Sequence, residues 1–254
     1  MEPLFQRSPS GTWLPDPIVR GPFQGMQGGA AAALMSHELE LTAASNRWGF
    51  LASFTTHFLQ AVPLAELTVH LTPVRQGRRV NIVDAQLSSD EAVYAIARAT
   101  FIAELFDERT PIPPPQFQDP SSMPLHDQGA RHHEHAWLMD AMDVRASGDG
   151  VIWFRLERSY CDGVIGPMTA VVPIADWAHG LGPPLGAERP RLAAIPNIDL
   201  AVHLHRAAAS EWIGLRAASA WSKEGIGAGW AELLDGKGLV GTVAMSIAVA
   251  MHPK

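Results

Sequence analysis

An internal repeat is the feature of this chain that most restricts its fold. Twenty-four positions separate Glu66 from Asp90, and the same number separates Glu211 from Asp235. In both halves the glutamate opens an alternating apolar run, and the aspartate precedes another such run. Similarity at a fixed spacing indicates that one structural unit is used twice.

Each copy combines one helix with four strands. Small and apolar residues from Gly28 to Ala44 predict a helix in the first half. In the second half a helix is predicted over residues 166–182, with Pro167 near its start and two strand-like runs before it. The four runs that follow each helix alternate and end at turn residues, which is typical of antiparallel strands. They cover 49–59, 66–76, 78–88 and 92–105 in the first half, and 198–206, 210–221, 225–235 and 239–251 in the second.

A proline-rich segment separates the two copies. The chain reads TPIPPPQFQDPSSMPLHDQGAR from Thr110 to Arg131, a composition typical of a linker. We therefore assign residues 1–110 to an N-terminal unit, 111–130 to the linker and 131–254 to a C-terminal unit. The elements predict an α+β protein in which each sheet curls around its helix.

Charge and composition exclude several classes of partner. The formal net charge of −7 argues against binding to nucleic acid or to anionic lipid. The single cysteine, Cys161, excludes an intramolecular disulfide and favours a reducing compartment. No apolar run approaches the roughly 20 residues that a membrane-spanning helix needs, and the N-terminal residues lack a signal pattern. We therefore expect a cytoplasmic protein without membrane insertion.

Several stretches resemble the acyl-CoA thioesterase II-like (TesB-like) family. They are GMQGGAAAAL before the first helix, RQGRR at a predicted hairpin, and ADWAHGLG, PNIDLAVHLHR, EWIGL and GIG in the second half. The resemblance covers nearly the whole chain and implies a double hotdog, in which two fused hotdog units each wrap an antiparallel sheet around a long helix. The strands of the two units should join into one sheet or pack back to back. We also expect a homo-oligomer, namely a dimer, and no cofactor.

The resemblance implies a site at the junction of the two units that takes an acyl-CoA or a related thioester. The aspartate of the family motif falls on Asp199, a carboxylate in an apolar run where burial is costly. Asp199 would line an internal pocket and act as the base. Gly28 and Gly29 would let the thioester approach the start of the first helix, where backbone N–H groups stabilise an oxyanion. The expected reaction is hydrolysis of a fatty acyl-CoA to the free acid and CoA.

Two positions depart from the family pattern. The hydroxyl of the family falls on Ala220 and its glutamine on Met245, and neither side chain can hold a water in the expected way. His203 or Thr242 could hold the water instead. Alternatively, the protein is a non-catalytic double hotdog that binds acyl-CoA or another acyl ligand. Another hotdog reaction, such as hydration of an enoyl-CoA, is a further alternative, although the GD-x-N-P-x-H stretch of such enzymes is absent.

Basic and histidine-rich stretches have both a functional and a structural interpretation. Arg75, Arg78 and Arg79 flank a glycine at a predicted hairpin, and they either contact the phosphates of CoA or form a solvated turn. The H-x-H pair of His203 and His205 lies on the same predicted strand face as Asp199. No further ligands are near in sequence, so no metal site is predicted.

Two further stretches are interpreted as structural. The RHHEH stretch at 131–135 is interpreted as a solvated turn beside the linker. Asp176 and Trp177 are interpreted as residues that fix the end of the second helix through hydrogen bonds.

Overall fold

The computed structural model describes residues 2–22, 25–90, 92–103, 117–126, 135–181, 184–186, 193–222, 224–248 and 250–251. A hairpin, a helix and four strands occur twice along the chain. The first copy consists of β1 (Phe5–Arg7), β2 (Trp13–Pro15), α1 (Gly28–Asn46), β3 (Phe50–Phe58), β4 (Thr68–Arg75), β5 (Val80–Ser88) and β6 (Val93–Ile102). The second consists of β7 (Met142–Ala146), β8 (Ile152–Leu156), α2 (Pro167–Ala175), the short α3 (Ala178–Leu181), β9 (Pro184–Gly186), β10 (Ala193–Ala194), β11 (Asp199–Leu204), β12 (Ile213–Trp221), β13 (Ile226–Asp235), β14 (Gly238–Ala248) and β15 (Ala250–Met251).

Eleven strands of the described chain form one sheet, and ten of them pair in the order β4-β5-β6-β3-β11-β14-β13-β12-β8-β7. All of these neighbours are antiparallel, whereas β9 pairs in parallel with the end of β12. The order β3-β6-β5-β4 in the first copy matches β11-β14-β13-β12 in the second. The repeat in the sequence is therefore also a repeat in topology.

The two copies join at β3 and β11 in the middle of the sheet. These strands are equivalent in the repeat and run antiparallel, with Asp199 opposite His57 and His203 opposite Ser53. Antiparallel pairing of equivalent strands relates the two units by a pseudo-twofold axis. One hydrophobic core cluster contains residues of both copies, such as Phe54 and Val202. The strands thus form one continuous sheet, and the predicted double hotdog is confirmed.

Helices α1 and α2 pack against each other under this sheet. Helix α1 is buried without interruption from Gly29 to His37, as expected of a helix that a curled sheet encloses. Alanines at positions 30–33 keep this stretch thin, which allows α2 to approach closely. Ser36 Oγ lies 3.1 Å from Thr169 Oγ1 of α2. This contact fixes the relative position of the two helices.

The ends of the elements differ from the prediction in the second copy. The predicted helix over 166–182 is too long, since α2 ends at Ala175 and α3 is a separate turn. The chain leaves α2 at Asp176, whose side chain is bound by groups of both copies. Pro173 lies inside α2 and does not end it. The first of the two strand-like runs before this helix covers residues 136–146, but its strand begins only at Met142, because residues 138–141 form a 3-10 turn.

The predicted unit boundaries at residues 110 and 131 lie outside the described residues, so the three-part division of the chain stays a prediction. Within the described residues, no helix is long and apolar enough to span a membrane.

Candidate active site

A cavity of about 490 Å³ lies where the first turn of α1 meets the second copy of the unit. Residues 58–62 at the end of β3 and residues 196–198 before β11 form adjoining parts of its wall, since Phe58 N donates to Ile198 O over 2.9 Å. The apolar wall includes Met26, Phe58 and Trp177. The polar side chains on the wall belong to Gln27, Gln60, Asp176, His179 and Asn197. The cavity therefore combines an apolar lining with a cluster of polar groups, as ligand sites commonly do.

Asp176 is the acidic residue of this cavity, and only 2% of its surface is exposed. Gln27 Nε2 donates a hydrogen bond to Oδ2 of Asp176, and Asn197 Nδ2 donates to Oδ1 over 2.7 Å. The backbone N–H of Gly29 donates to the same carboxyl. Two donors at the start of α1 and one from the segment before β11 thus hold the carboxyl.

Burial raises the pKa of Asp176 above its ordinary value, because the charged form loses its hydration. The neighbouring charge of His179 and the hydrogen bonds from Asn197, Gly29 and Gln27 act in the opposite direction and favour the carboxylate. Nδ1 of His179 lies 2.7 Å from the backbone oxygen of Asp176, which fixes the imidazole beside this residue. A carboxyl with a raised pKa in a cavity is a candidate for proton transfer.

Gly29 at the start of α1 is needed for the close approach of Asp176. A Cβ atom on Gly29 would lie 2.7 Å from Cβ of Asp176 and 3.0 Å from the backbone oxygen of Pro173. A Cβ atom on Gly28 would lie 3.1 Å from the ring of Phe58 and 3.4 Å from Oδ1 of Asp176. A larger residue at position 29 would displace the carboxyl from the helix start, whereas one at position 28 would press mainly against the ring of Phe58.

Gly28 also supplies a backbone N–H that the helix itself does not use. It belongs to the first turn, where an α-helix has no acceptor for its N–H groups. Among the described residues no acceptor is bonded to this N–H, whereas Gly29 donates to Asp176 and Ala30 donates to Gln27 Oε1. Gly28 therefore leaves one donor at the positive end of the helix dipole, next to the carboxyl.

Asp199 is not among the residues that line this cavity, contrary to the expectation from the resemblance. It is half-buried at the start of β11, and its Oδ1 accepts a hydrogen bond from the backbone N–H of Ser246 over 2.7 Å. Leu200 and Val202 are fully buried, while Ala201 and His203 are not. Alternation along the strand therefore directs Asp199 to the outer face of the sheet.

Ala220 and Met245 do not lie together beside Asp199. Met245 is 4% exposed and faces the core. The next residue, Ser246, is exposed and lies on the outer face with Asp199. Ala220 is half-buried on the outer face, where Ala228 pairs with both Ala220 and Ser246. The two positions project from opposite faces of the sheet, so the pocket that was expected to combine them stays a prediction.

The other sequence candidates also lie away from the cavity. His203 and Thr242 are exposed cross-strand neighbours on the outer face. Arg75, Arg78 and Arg79 are exposed at the β4–β5 hairpin, which adjoins the Phe50 end of β3. The cavity adjoins the Phe58 end, and eight residues of extended strand span about 26 Å. Residues 131–134 of the RHHEH stretch lie outside the described residues.

Within the described residues, no group of three or more His, Cys, Asp or Glu side chains could hold a metal ion.

Comparison with protein families identifies the chain. A family described as the acyl-CoA thioesterase N-terminal domain matches residues 19–102, and one described as the acyl-CoA thioesterase C-terminal domain matches residues 106–249. Together they cover most of the chain. The chain belongs to the acyl-CoA thioesterase family. No curated protein matches it.

Solved structures share the fold of this thioesterase family member at low sequence identity. A protein from Novosphingobium aromaticivorans assigned as a thioesterase has 20% identity and a TM-score of 0.72, with all of both chains covered. An acyl-CoA thioesterase II from Mycobacterium marinum has 14% identity and a TM-score of 0.65, with 90% of this chain and 91% of that chain covered. A hotdog-fold protein from Alicyclobacillus acidocaldarius has 17% identity and a TM-score of 0.68, with 96% and 93% covered.

Sequence reasoning missed Asp176, Gln27 and Asn197 as a group. Asp176 was interpreted as a helix-end residue, which is correct for its position but leaves out the cavity that it lines. One signal was present, since Gln27 directly precedes the glycine pair and Asn197 lies two residues before Asp199. Both Gln27 and Asn197 are polar and lie next to or near a residue that the sequence had indicated as a site candidate, Gly28 or Asp199.

Proposed function

We propose that this thioesterase family member hydrolyses an acyl-CoA thioester in the cavity at the start of α1, with Asp176 as the base. The observation that carries the proposal is the position of a buried carboxyl with a raised pKa beside the donor of Gly28. Thioester hydrolysis requires a base near the carbonyl carbon and a donor for the developing oxyanion. Both groups face one cavity.

The reaction follows from these two groups. The thioester oxygen accepts a hydrogen bond from the N–H of Gly28, which stabilises negative charge at the positive end of the α1 dipole. Asp176 takes a proton from a water as the water oxygen bonds to the carbonyl carbon. The tetrahedral intermediate then collapses, the C–S bond breaks, and the leaving thiolate of CoA takes the proton from Asp176. The products are the free acid and CoA.

The apolar wall favours a fatty acyl group. Val62 and Ile198 extend the wall that Met26, Phe58 and Trp177 form. Burial of an alkyl chain against such a surface contributes about 0.8 kcal/mol for each CH₂ group. Chain-length preference should therefore follow the depth of this wall.

The homodimer and the cytoplasmic location stay predictions.

Asp199 is the competing base, and the family resemblance favours it. It lies opposite the exposed His57 of β3. His57 lines a groove of about 720 Å³ on the outer face of the first copy, together with Thr55 and Arg98. A thioester bound on the outer face would use Asp199 and leave Asp176 as a structural residue.

Binding without hydrolysis is the second candidate function. The carboxyl of Asp176 already accepts hydrogen bonds from Gln27, Asn197 and Gly29. Hydrogen bonds to the charged form weaken a base, because they stabilise the carboxylate. If these bonds persist in the complex, the cavity binds acyl-CoA but does not activate water.

Release of free thiol from a panel of acyl-CoAs of increasing chain length separates these functions. Hydrolysis should occur with wild type and fall in Asp176→Asn, whose amide cannot take the proton. Binding of an S-alkyl-CoA thioether, which cannot be hydrolysed, should be retained in that variant. Tight thioether binding with no thiol release from any acyl-CoA by wild type would support the binding protein and overturn the enzyme.

A further inference from the structure

A second cavity occupies the pseudo-twofold equivalent of the candidate active site. It has a volume of about 320 Å³ and lies at the start of α2, next to the start of β3. The first cavity lies at the start of α1, next to the start of β11. Leu41, Phe50, Leu51, Phe101 and Val164 make the wall of the second cavity largely apolar. It can therefore accept an alkyl chain.

The start of α2 has no backbone donor left for a thioester. Its first residue is Pro167, which has no N–H. Glu40 of α1 accepts hydrogen bonds from the next two backbone groups, at 2.8 Å from Met168 N and 3.1 Å from Thr169 N. Thr169 Oγ1 donates to the same carboxyl over 2.6 Å. The second cavity therefore lacks the donor that Gly28 provides at the first.

Four exposed arginines lie beside the second cavity. Arg75, Arg78 and Arg79 belong to the β4–β5 hairpin, and Arg47 directly follows α1. Asn81 connects these segments, since its Oδ1 accepts from Gly77 N over 3.0 Å and its Nδ2 donates to Trp48 O over 3.3 Å.

The hairpin is close to the cavity wall through the sheet. Phe50 of the wall pairs with Ile102, and Ile102 pairs with Val80, which directly follows Arg79. Two strand spacings, about 10 Å, separate the backbone of Phe50 from that of Val80. The N–H of Ala103 also donates to the backbone oxygen of Arg79 over 2.9 Å.

The arginine patch, formed by Arg47, Arg75, Arg78 and Arg79, is not neutralised by the described part of the chain. None of the four forms an ion pair with another described residue. Guanidinium groups bind phosphate with paired hydrogen bonds.

We propose that the second cavity and the arginine patch bind a second acyl-CoA molecule, which this site does not hydrolyse. The acyl chain occupies the apolar cavity, and the phosphates of CoA lie on the arginines. Hydrolysis does not follow, because Pro167 and Glu40 remove the donors that the oxyanion needs. The identity of the ligand rests on the proposed function, whereas its chemistry, an apolar chain with a phosphate-bearing head, rests on the cavity and the patch.

Binding stoichiometry of an S-alkyl-CoA thioether, measured by isothermal titration calorimetry, tests this proposal. Wild type should bind two molecules for each chain. The Arg75→Gln, Arg78→Gln, Arg79→Gln triple variant should bind one, and so should Ala44→Trp, which fills the cavity from an exposed position on its wall. Arg216→Gln, in the half of the sheet that belongs to the second copy, serves as the control and should bind two.

Other ligands and turnover complete the test. CoA without an acyl chain and a fatty acid without CoA should each bind the second site at least about tenfold more weakly, since each lacks one half of the recognition. Ala44→Trp should keep wild-type turnover, which is measured separately as thiol release. One thioether for each wild-type chain that the triple variant still binds, or two for the triple variant, would overturn the second site. Loss of turnover in Asp176→Asn concerns only the proposed function and leaves this stoichiometry unchanged.

Discussion

Asp176 and Asp199 show what the surroundings of a carboxyl decide at the scale of a single residue. Asp176 lies in a cavity and is held by two side-chain amides and a backbone N–H. Asp199 lies half-buried on the outer face of the sheet, where one backbone N–H binds it. Burial raises the pKa of Asp176, so we expect the rate of hydrolysis to fall as the pH drops through that raised pKa, when the base becomes protonated.

The change Met245→Gln tests the face on which this position lies. Met245 is buried against the core, so a glutamine there would bury an amide without an evident partner. We expect a loss of about 1 to 3 kcal/mol in the free energy of unfolding and no gain in hydrolysis. Ala220→Thr is the matched control on the outer face and should change stability by about 0.5 kcal/mol or less. Urea denaturation measures both, and faster thiol release by a variant that combines Met245→Gln with Ala220→Thr would contradict this placement.

The alternation of apolar residues along β11 indicates the orientation of Asp199 from the sequence alone. Leu200, Val202 and Leu204 mark the buried face, so the residues between them face outward. The resemblance instead assigned Asp199 to an internal pocket. Asp176 could not be found in this way, because its role depends on Gln27 and Asn197, which are far from it in sequence and meet it only in the folded chain.

At the scale of elements, the repeat predicted the strands better than the helices. Glu66 and Glu211 each lie just before an equivalent strand, β4 or β12. Period-two alternation is a strong local signal, which explains this success. The end of α2 was not predicted, because the helix ends where Asp176 binds Gln27 and Asn197. These partners are distant in sequence, so no local pattern indicates them.

The ion pair between Asp235 and Arg206 connects the end of β13 to the segment after β11. Asp235 is fully buried and accepts hydrogen bonds from Nη1 and Nη2 of Arg206, at 2.6 and 2.7 Å, and from the backbone N–H groups of Ala209 and Lys237. Burial alone would raise the pKa of Asp235, but the bonds from Arg206 and the two N–H groups outweigh it and hold the pKa below its ordinary value. The stabilisation is therefore present above the unfolded pKa and is lost as the pH falls through the folded pKa.

Asp235→Asn should therefore cost about 3 kcal/mol or more of stability at neutral pH, since it leaves a charged guanidinium without its partner. The difference from wild type should shrink in acid. Asp84→Asn is the control, because Asp84 pairs with Arg98 on the exposed surface, where ion pairs contribute little. Thermal melts between neutral and acidic pH measure the effect. Equal losses of Tm for the two variants at neutral pH would contradict the account of this buried pair.

At the scale of the whole molecule, the two copies share their main structural parts. The pairing of β3 with β11 makes one sheet, and the main core cluster contains residues of both copies. Each helix start also binds a carboxyl from the other copy, Asp176 at α1 and Glu40 at α2. Neither copy can be removed without exposing the core of the other.

The chain should therefore unfold in one cooperative transition. Differential scanning calorimetry should give a calorimetric enthalpy equal to the van't Hoff enthalpy, as expected of a two-state system. The measurement applies where unfolding is reversible. Two resolved transitions would show that the copies unfold independently, and would contradict a shared core.

The central claim is that Asp176, and not Asp199, is the base. Single-turnover hydrolysis of an acyl-CoA by Asp176→Asn and Asp199→Asn tests it most directly, with thioether binding as the check that each variant is folded and loaded. General-base assistance is worth about 10² to 10⁴ in rate, so Asp176→Asn should be slower than wild type by at least about a hundredfold, while Asp199→Asn should stay close to wild type. A hundredfold loss in Asp199→Asn together with near wild-type hydrolysis by Asp176→Asn would contradict the account and return the base to the outer face of the sheet.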